Sequence, residues 1–214
     1  MPPPVFFQKL GLFVLPDFLD PQSKVELCRQ LTTAPSEKAI VVGLNGAETI
    51  NLDSRNVAIC IVSKQTSALL QQRLLEIKPD LEKHFGVRLA GCEDPQFLNY
   101  GPGNFFRPHQ DIGGYEAKHA IRHRSVSVVI FLNRESEVPT EDTYGGGQLT
   151  FYGLMEGPQW EKLPFPLIAE PGLLIAFPSD KWHEVKPVSH GQRLTVVTWF
   201  HAAETPTAPT AVLR

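Results

Sequence analysis

The sequence predicts an α+β protein that is mainly β, a double-stranded β-helix (jelly roll) supported by N-terminal helices. Two observations carry this prediction. After residue 92 the chain becomes a series of short β-rich runs separated by glycine and proline, which is typical of a sandwich or barrel. Before that point, leucines recur at helical spacing over 63–85, which predicts helices that cover one face of a sheet.

The region 1–92 is predicted to be a mixed helical and β support packed on the barrel. A short apolar run within 10–20 predicts a buried strand. Asp20 then provides an N-cap, and Pro21 suits the first helical position. We therefore expect a helix that begins at this pair and ends before Pro35.

Two further elements are expected in the support region. Asn45-Gly46 indicates a hairpin between two short strands. The helix over 63–85 should be split at Pro79, which lacks an amide hydrogen, and should end at Gly86. Its predicted apolar stripe comprises Leu69, Leu70, Leu74, Leu75 and Ile77.

The barrel is predicted to occupy 93–203. Eight β-rich runs lie within it, about the strand count of a jelly roll. They are 96–100, 105–111, 125–133, 147–152, 167–169, 173–177, 183–188 and 193–200. The remaining residues, 204–214, are dominated by threonine, proline and alanine, a composition that predicts a disordered tail.

Composition sets limits on partners and location. The 214 residues carry a formal net charge of −3, which gives no overall attraction to nucleic acid or to an anionic membrane. Cys28, Cys60 and Cys92 are widely spaced and contain no CxxC pair, which indicates free thiols in a reducing compartment. No stretch approaches transmembrane length and no basic leader is evident, so a cytoplasmic protein is expected.

The main candidate for chemistry is the pair His109-x-Asp111. Residues i and i+2 of a strand point to the same face, so one imidazole and one carboxylate can reach one ion. His183 lies 72 positions after Asp111 (183 − 111), which leaves room for the strands that return it to His109. Two histidines and one carboxylate on one side of a metal are typical of non-haem Fe(II) oxygenases. An isolated His-x-Asp is more often a surface pair without metal, so the downstream sequence decides.

Several short motifs follow this pair in a definite order. They are Tyr100-x2-Gly103 ahead of His109-x-Asp111, then Phe131-Leu132-Asn133, Gly145-Gly146-Gly147-Gln148-Leu149-Thr150-Phe151, Pro171-Gly172, Ala176-Phe177-Pro178, His183-Glu184-Val185 and Gly191-Gln192-Arg193 with Trp199. This order, over roughly 95–201, resembles the Fe(II)/2-oxoglutarate-dependent dioxygenases. Within them it looks most like the prolyl 4-hydroxylase branch.

The resemblance implies a set of cofactors and site residues. Fe(II) would be held by His109, Asp111 and His183, with 2-oxoglutarate and O2 as co-substrates and ascorbate as a candidate reductant. In that family 2-oxoglutarate is consumed to succinate and carbon dioxide. Arg193, ten residues after His183, would bind the distal carboxylate through its planar fork. A surface cation near a turn is the alternative, but an arginine buried in this apolar run needs a carboxylate partner.

One position departs from the prolyl hydroxylase pattern. Many relatives carry a tyrosine just before Leu-Asn, where its hydroxyl bonds the 2-oxoglutarate carboxylate, whereas this chain has Phe131. Tyr100, Ser127 and Thr195 are candidates to supply the missing hydroxyl and bind the co-substrate. Tyr100 is equally well explained as a buried packing residue. The sequence does not choose among them.

Three functional hypotheses remain open. The first is hydroxylation of a prolyl residue in a polypeptide, with the connections 112–124 and 135–144 closing over an extended segment. The second is the same chemistry on a free amino acid or another small molecule. The third is a cupin-like barrel that binds metal without redox turnover. Asp111 disfavours a halogenase, and the acidic balance and the lack of a second arginine after Arg193 in the last predicted strand disfavour a nucleic-acid demethylase.

Overall fold

The helices of the support region cover one side of the molecule. A computed structural model describes residues 4–39, 41–42, 48–113, 121, 123–168 and 170–203. Its α-helices are α1 (Pro4–Lys9), α2 (Pro21–Thr33), α3 (Lys64–Glu76) and α4 (Lys78–Phe85), and a 3-10 turn spans Pro158–Trp160.

The predicted helix boundaries are confirmed. The Asp20 side chain accepts a hydrogen bond from the Ser23 amide at 2.9 Å and so caps α2. The helix over 63–85 is split ahead of Pro79, and Gly86 ends α4 in the left-handed conformation with φ of 66°. Leu70 and Leu74 are buried, as their one-turn spacing predicts. The predicted burial of Leu69 and Leu75 is wrong, because α3 buries only a narrow stripe.

Eighteen strands are present within the described part of the chain. They are β1 (Phe13–Leu15), β2 (Ser36–Lys38), β3 (Val41–Val42), β4 (Glu48–Thr49), β5 (Arg55–Asn56), β6 (Ala58–Cys60), β7 (Leu89–Cys92), β8 (Gln96–Tyr100), β9 (Phe105–His109), β10 (Arg124–Phe131), β11 (Arg134–Glu135), β12 (Thr143–Gly146), β13 (Leu149–Phe151), β14 (Phe165–Pro166), β15 (Leu174–Pro178), β16 (His183–Val185), β17 (Val188–Gly191) and β18 (Arg193–Ala202). Strands β3 and β4 pair on either side of the predicted hairpin turn, which itself lies outside the described residues.

The larger sheet has eight strands in the order β1-β15-β10-β18-β8-β6-β2, with β7 added on β18. Its central strand β10 shows why the sheet is apolar on both sides. Val128 and Ile130 belong to the cluster that contains the helix leucines, whereas Val129 and Phe131 belong to the cluster inside the barrel. Successive side chains of a strand alternate between faces, so one strand serves both cores.

The smaller sheet has the order β14-β13-β16-β9-β5 and forms the opposite wall. Its Leu149, Phe151 and Val185 join the same inner cluster as Val129 and Phe131 of the larger sheet. The two mostly antiparallel sheets therefore enclose one core, and the jelly roll that the sequence predicts is confirmed. A three-stranded sheet, β11-β12-β17, lies at one end.

The support region is continuous with the barrel in its hydrogen bonding. Strands β1 and β6 pair with β15 and β8 of the larger sheet, and β5 pairs with β9 of the smaller one. The division at residue 92 remains a prediction about organisation, and the tail 204–214 lies outside the described residues. Among the helices described, none is long and apolar enough to cross a membrane.

Candidate active site

The three candidate metal ligands meet where β9 lies beside β16. His109 and His183 are partners in the antiparallel register of these strands, and Asp111 follows β9 by two residues. The Asp111 carboxylate oxygens lie 3.6 Å from His109 Nε2 and 3.5 Å from His183 Nε2. The ligand atoms of all three residues lie within 4.8 Å of one another. This donor set, from one wall of the barrel, suits Fe(II) in a facial arrangement.

Both imidazole rings are oriented by the backbone two residues earlier. His109 Nδ1 donates to the Arg107 carbonyl at 2.8 Å, and His183 Nδ1 donates to the Lys181 carbonyl at 2.9 Å. A nitrogen that donates carries the hydrogen, so in the neutral form of each ring the lone pair for a metal is on Nε2. Such partners fix the ring orientation and raise ligand basicity.

The charges of the cluster also favour metal binding. Burial and the neighbouring His109 lower the pKa of His183 to about 4, against the opposing charge of Asp111, so His183 is neutral at pH 7. Burial alone would raise the pKa of Asp111, but the two histidines and a hydrogen bond from Ser127 hold it well below its usual range. The cluster thus presents the neutral imidazole of His183 beside the charged carboxylate of Asp111.

Aromatic rings pack against both histidines. The Phe106 ring stacks on His109 with 3.4 Å between centroids, and the Phe177 ring meets His183 edge-on at 4.8 Å. The Arg55 guanidinium lies 4.8 Å from the Phe106 ring centroid and lines a cavity together with the three candidate metal ligands. Sequence reasoning missed Arg55, because only the pairing of β5 with β9 brings it to this wall.

We call His109, Asp111 and His183 the ligand cluster. The cavity that contains these three residues is also lined by Arg193. Only 1% of Arg193 is exposed, and its Cζ lies 5.1 Å from the Tyr100 ring centroid and 5.3 Å from that of Phe131. Nη1 donates to Thr195 Oγ1 at 3.3 Å. Nε and Nη2 are buried and have no hydrogen-bond partner among the described residues. A buried guanidinium in this state is strongly unfavourable unless an anion completes it.

The structure separates the three hydroxyl candidates. The Ser127 hydroxyl is 3.0 Å from that of Ser179 and acts on Asp111, so it belongs to the ligand cluster. Thr195 accepts from Arg193, and Tyr100 presents its ring face to the guanidinium. Phe131 is a buried ring of the inner hydrophobic cluster and has no hydroxyl.

Two connections, 112–124 and 135–144, are predicted to close over a substrate. Most of 112–124 lies outside the described residues. The described 135–144 connection starts and ends in the small β11-β12-β17 sheet. Burial raises the pKa of Glu135, and a hydrogen bond from Gln148 and the charge of Arg193 oppose this rise. Both ends of this segment therefore lie near Arg193, and its closure over a substrate stays a prediction.

Comparison with known proteins agrees with this geometry. The family described as the 2OG-Fe(II) oxygenase superfamily matches residues 95–201, which is 107 of 214 residues. A PKHD-type hydroxylase from Picosynechococcus sp. is 28% identical over 191 residues, covering 89% of this chain and 78% of the relative.

Two solved structures share the fold. A prolyl 4-hydroxylase from Pseudomonas putida is similar with a TM-score of 0.62 and 22% identity, over 91% of this chain and 94% of the other. A prolyl hydroxylase from Trichoplax adhaerens, in complex with a hypoxia inducible factor peptide fragment, gives a TM-score of 0.63 and 19% identity, over 90% and 84% of the two chains.

Proposed function

The chain belongs to the 2OG-Fe(II) oxygenase superfamily, and on that premise we propose that it hydroxylates a prolyl residue in a polypeptide, with Fe(II) held by His109, Asp111 and His183. The family implies Fe(II), 2-oxoglutarate and O2. The observation that carries the chemistry is the pairing, in one cavity, of a His-Asp-His cluster with a buried arginine that has two unpartnered N–H groups.

The residues present fit both groups. Three protein ligands leave positions open on a metal, which a keto acid and dioxygen can occupy. Nε–H and Nη2–H of Arg193 point in parallel, and this edge of the guanidinium matches the two oxygens of a carboxylate. A dicarboxylic keto acid is therefore the kind of molecule that both ends of the cavity can hold at once.

Each residue then has a defined task. His109 and His183 offer Nε2 lone pairs, and Asp111 supplies a charged oxygen that Ser127 orients. Phe106 and Phe177 exclude water from the histidine rings. The bound iron and keto acid supply the oxidising chemistry, in which 2-oxoglutarate is consumed to succinate and carbon dioxide.

A polypeptide substrate is supported by the relatives. The relative from Picosynechococcus is named a PKHD-type hydroxylase, and two structures with the same fold are prolyl hydroxylases, one of them holding a peptide. A metal-binding scaffold without turnover has no use for Arg193 beside the metal site, which counts against the cupin-like alternative.

The test is a mass-spectrometric screen. The protein is incubated with Fe(II), 2-oxoglutarate and a library of proline-containing peptides, and each peptide is examined for the gain of one oxygen. We expect a gain that requires both additions and that raises succinate formation above the peptide-free rate. A parallel series without ascorbate tests its predicted role as reductant.

Two results would change the proposal. If no peptide gains oxygen while a free amino acid or another small molecule does, the small-molecule alternative replaces the peptide substrate. If neither gains oxygen and no succinate forms, the enzymatic proposal is wrong. The cytoplasmic location remains a separate prediction, which microscopy of the tagged protein in its own cell can test.

A further inference from the structure

Tyr144 is a buried hydroxyl-bearing residue at the Arg193 end that the sequence did not single out. It lies in β12, which belongs to the small end sheet, and only 1% of it is exposed. Its strand partner is Gly191, two residues before Arg193. This pairing therefore places Tyr144 of the small sheet close to Arg193, the first residue of β18 in the larger sheet.

The two side chains meet in the space that Gly147 leaves. A Cβ built on Gly147 would lie 2.9 Å from Cδ of Arg193 and 3.6 Å from Cε2 of Tyr144. The charge of Arg193 and a side-chain contact with it both act on the pKa of the Tyr144 hydroxyl, so the hydroxyl end of the tyrosine lies beside the guanidinium. Gly147 also has φ of +66°, which favours glycine. The glycine at position 147 therefore leaves the space that both side chains approach.

The other hydroxyl-bearing residues near Arg193 make different contacts. Ser127 contacts Ser179 and acts on Asp111. Thr195 accepts from Nη1 of Arg193, the nitrogen that is not part of the unpartnered edge. Tyr100 presents its ring face to the guanidinium, with 5.1 Å between Arg193 Cζ and the ring centroid.

Tyr144 is suited to donate a hydrogen bond. Burial raises the pKa of its hydroxyl, and the charge of Arg193 opposes that rise without cancelling it. The hydroxyl therefore stays protonated at neutral pH. A protonated phenol beside a guanidinium can donate to the same anion that the guanidinium binds.

We propose that Tyr144 donates its hydroxyl hydrogen to the distal carboxylate of 2-oxoglutarate, beside Nε–H and Nη2–H of Arg193. It would replace, from a different strand, the tyrosine that prolyl hydroxylase relatives carry where this chain has Phe131. The inference rests on the proposed function, because it assumes that 2-oxoglutarate binds in this cavity. It names a further specificity-determining residue for that co-substrate.

The test measures binding without turnover. 2-Oxoglutarate is titrated into the Mn(II)-loaded protein by calorimetry, and 2-oxopentanoate, which has the same chain length but no distal carboxylate, is titrated in parallel. Tyr144→Phe should weaken 2-oxoglutarate binding about 10-fold, as expected for losing a hydrogen bond to a charged group. Binding of 2-oxopentanoate should not change. Tyr152→Phe is the matched control, because the Tyr152 hydroxyl bonds Glu184 instead.

The outcomes distinguish failure of the role proposed for Tyr144 from failure of the proposed function. If the wild-type protein binds no 2-oxoglutarate, the proposed function fails. If the wild-type protein binds it and Tyr144→Phe binds it equally well, the inference is overturned while the proposed function stands. Equal weakening of both keto acids would also overturn it, since the effect would then be independent of the distal carboxylate. Adding Phe131→Tyr to Tyr144→Phe is expected to recover affinity for 2-oxoglutarate.

Discussion

The two ends of the cavity differ in how far the protein alone satisfies them. At the ligand cluster, His109 and His183 each hydrogen-bond a backbone carbonyl, and Asp111 lies between them with support from Ser127. At the other end, Arg193 keeps two buried N–H groups without partners among the described residues. The protein therefore supplies hydrogen-bond partners at the first end, whereas on the proposed function 2-oxoglutarate would supply them at the second.

This difference follows from how each end is built. The ligand cluster comes from two adjacent strands of the smaller sheet, so its geometry depends on one register. The Arg193 end needs the rings of Tyr100 and Phe131 from the two strands flanking β18, and Tyr144 from a separate sheet. Burying a guanidinium without hydrogen-bond partners is unfavourable. We therefore expect this end to lower the stability of the ligand-free protein and to favour binding of an anion.

The largest expected effect is on iron binding. His183→Ala should lower Fe(II) affinity by more than the roughly 100-fold that loss of an outer hydrogen-bond partner can cause, because it removes a ligand outright. Arg193→Met should leave Fe(II) affinity unchanged, since Arg193 contributes no ligand atom. Anaerobic titration with Fe(II) measures both, and His84→Ala serves as a histidine control outside the cavity. Equal iron affinity in His183→Ala and wild type would refute the assignment.

The second expected effect is on 2-oxoglutarate binding at the Arg193 end. Arg193→Met and Arg193→Lys should each weaken 2-oxoglutarate binding about 10- to 100-fold, because the first removes the charge and the second the bidentate fork. Calorimetry on the Mn(II)-loaded protein measures the change.

Stability should respond in the opposite sense. Without 2-oxoglutarate, Arg193→Met should melt at the same temperature as wild type or higher, because an unpaired buried charge is replaced by an apolar chain. Calorimetric melting of the ligand-free protein checks this. A clear fall in melting temperature would mean that Arg193 has a structural partner, and the comparison between the two ends would fail.

The ligand cluster could be predicted from sequence because its signal is local. His109 and Asp111 share a strand face by the two-residue period, and His183 follows the returning strands at a recognisable distance. Arg193 was predictable as well, because a charged residue at the start of an apolar strand implies a buried anion site. The burial of Arg193 agrees with that expectation.

The missing hydroxyl could not be predicted in the same way. Tyr144 reaches Arg193 only because β12 pairs with β17 and Gly147 leaves space, and neither fact has a periodic signature. Sequence reasoning missed Arg55 for the same reason, because its position depends on the pairing of a two-residue strand. Long-range strand pairing, unlike the local period, is set by tertiary packing.

The last expected effect concerns a hydrogen-bond network next to the ligand cluster. Glu93 bonds Arg124 at 2.6 and 2.7 Å and His201 at 3.0 Å. Arg124 lies 3.6 Å over the Trp199 ring and donates to the Asp111 carbonyl at 3.4 Å. Glu93→Gln should lower the free energy of unfolding at pH 7 by about 1.5–3 kcal/mol, because charged hydrogen bonds are lost in a largely buried site. Selectivity for the distal carboxylate should not change, since this network acts at the other end.

The pH dependence of this loss provides the check. Burial acts to raise the pKa of Glu93, but Arg124 and His201 outweigh it, so its folded pKa lies below the unfolded value near 4.3. A carboxyl group with a lowered pKa stabilises the fold above the unfolded value and loses that contribution as pH falls through the folded pKa. The difference between wild type and Glu93→Gln, measured by urea unfolding, should therefore be full at pH 7 and shrink below about pH 4. Glu26→Gln, which breaks an exposed pair with Arg29, should change little at either pH. A difference for Glu93→Gln that is the same at both pH values would show that packing, rather than charge, holds this network.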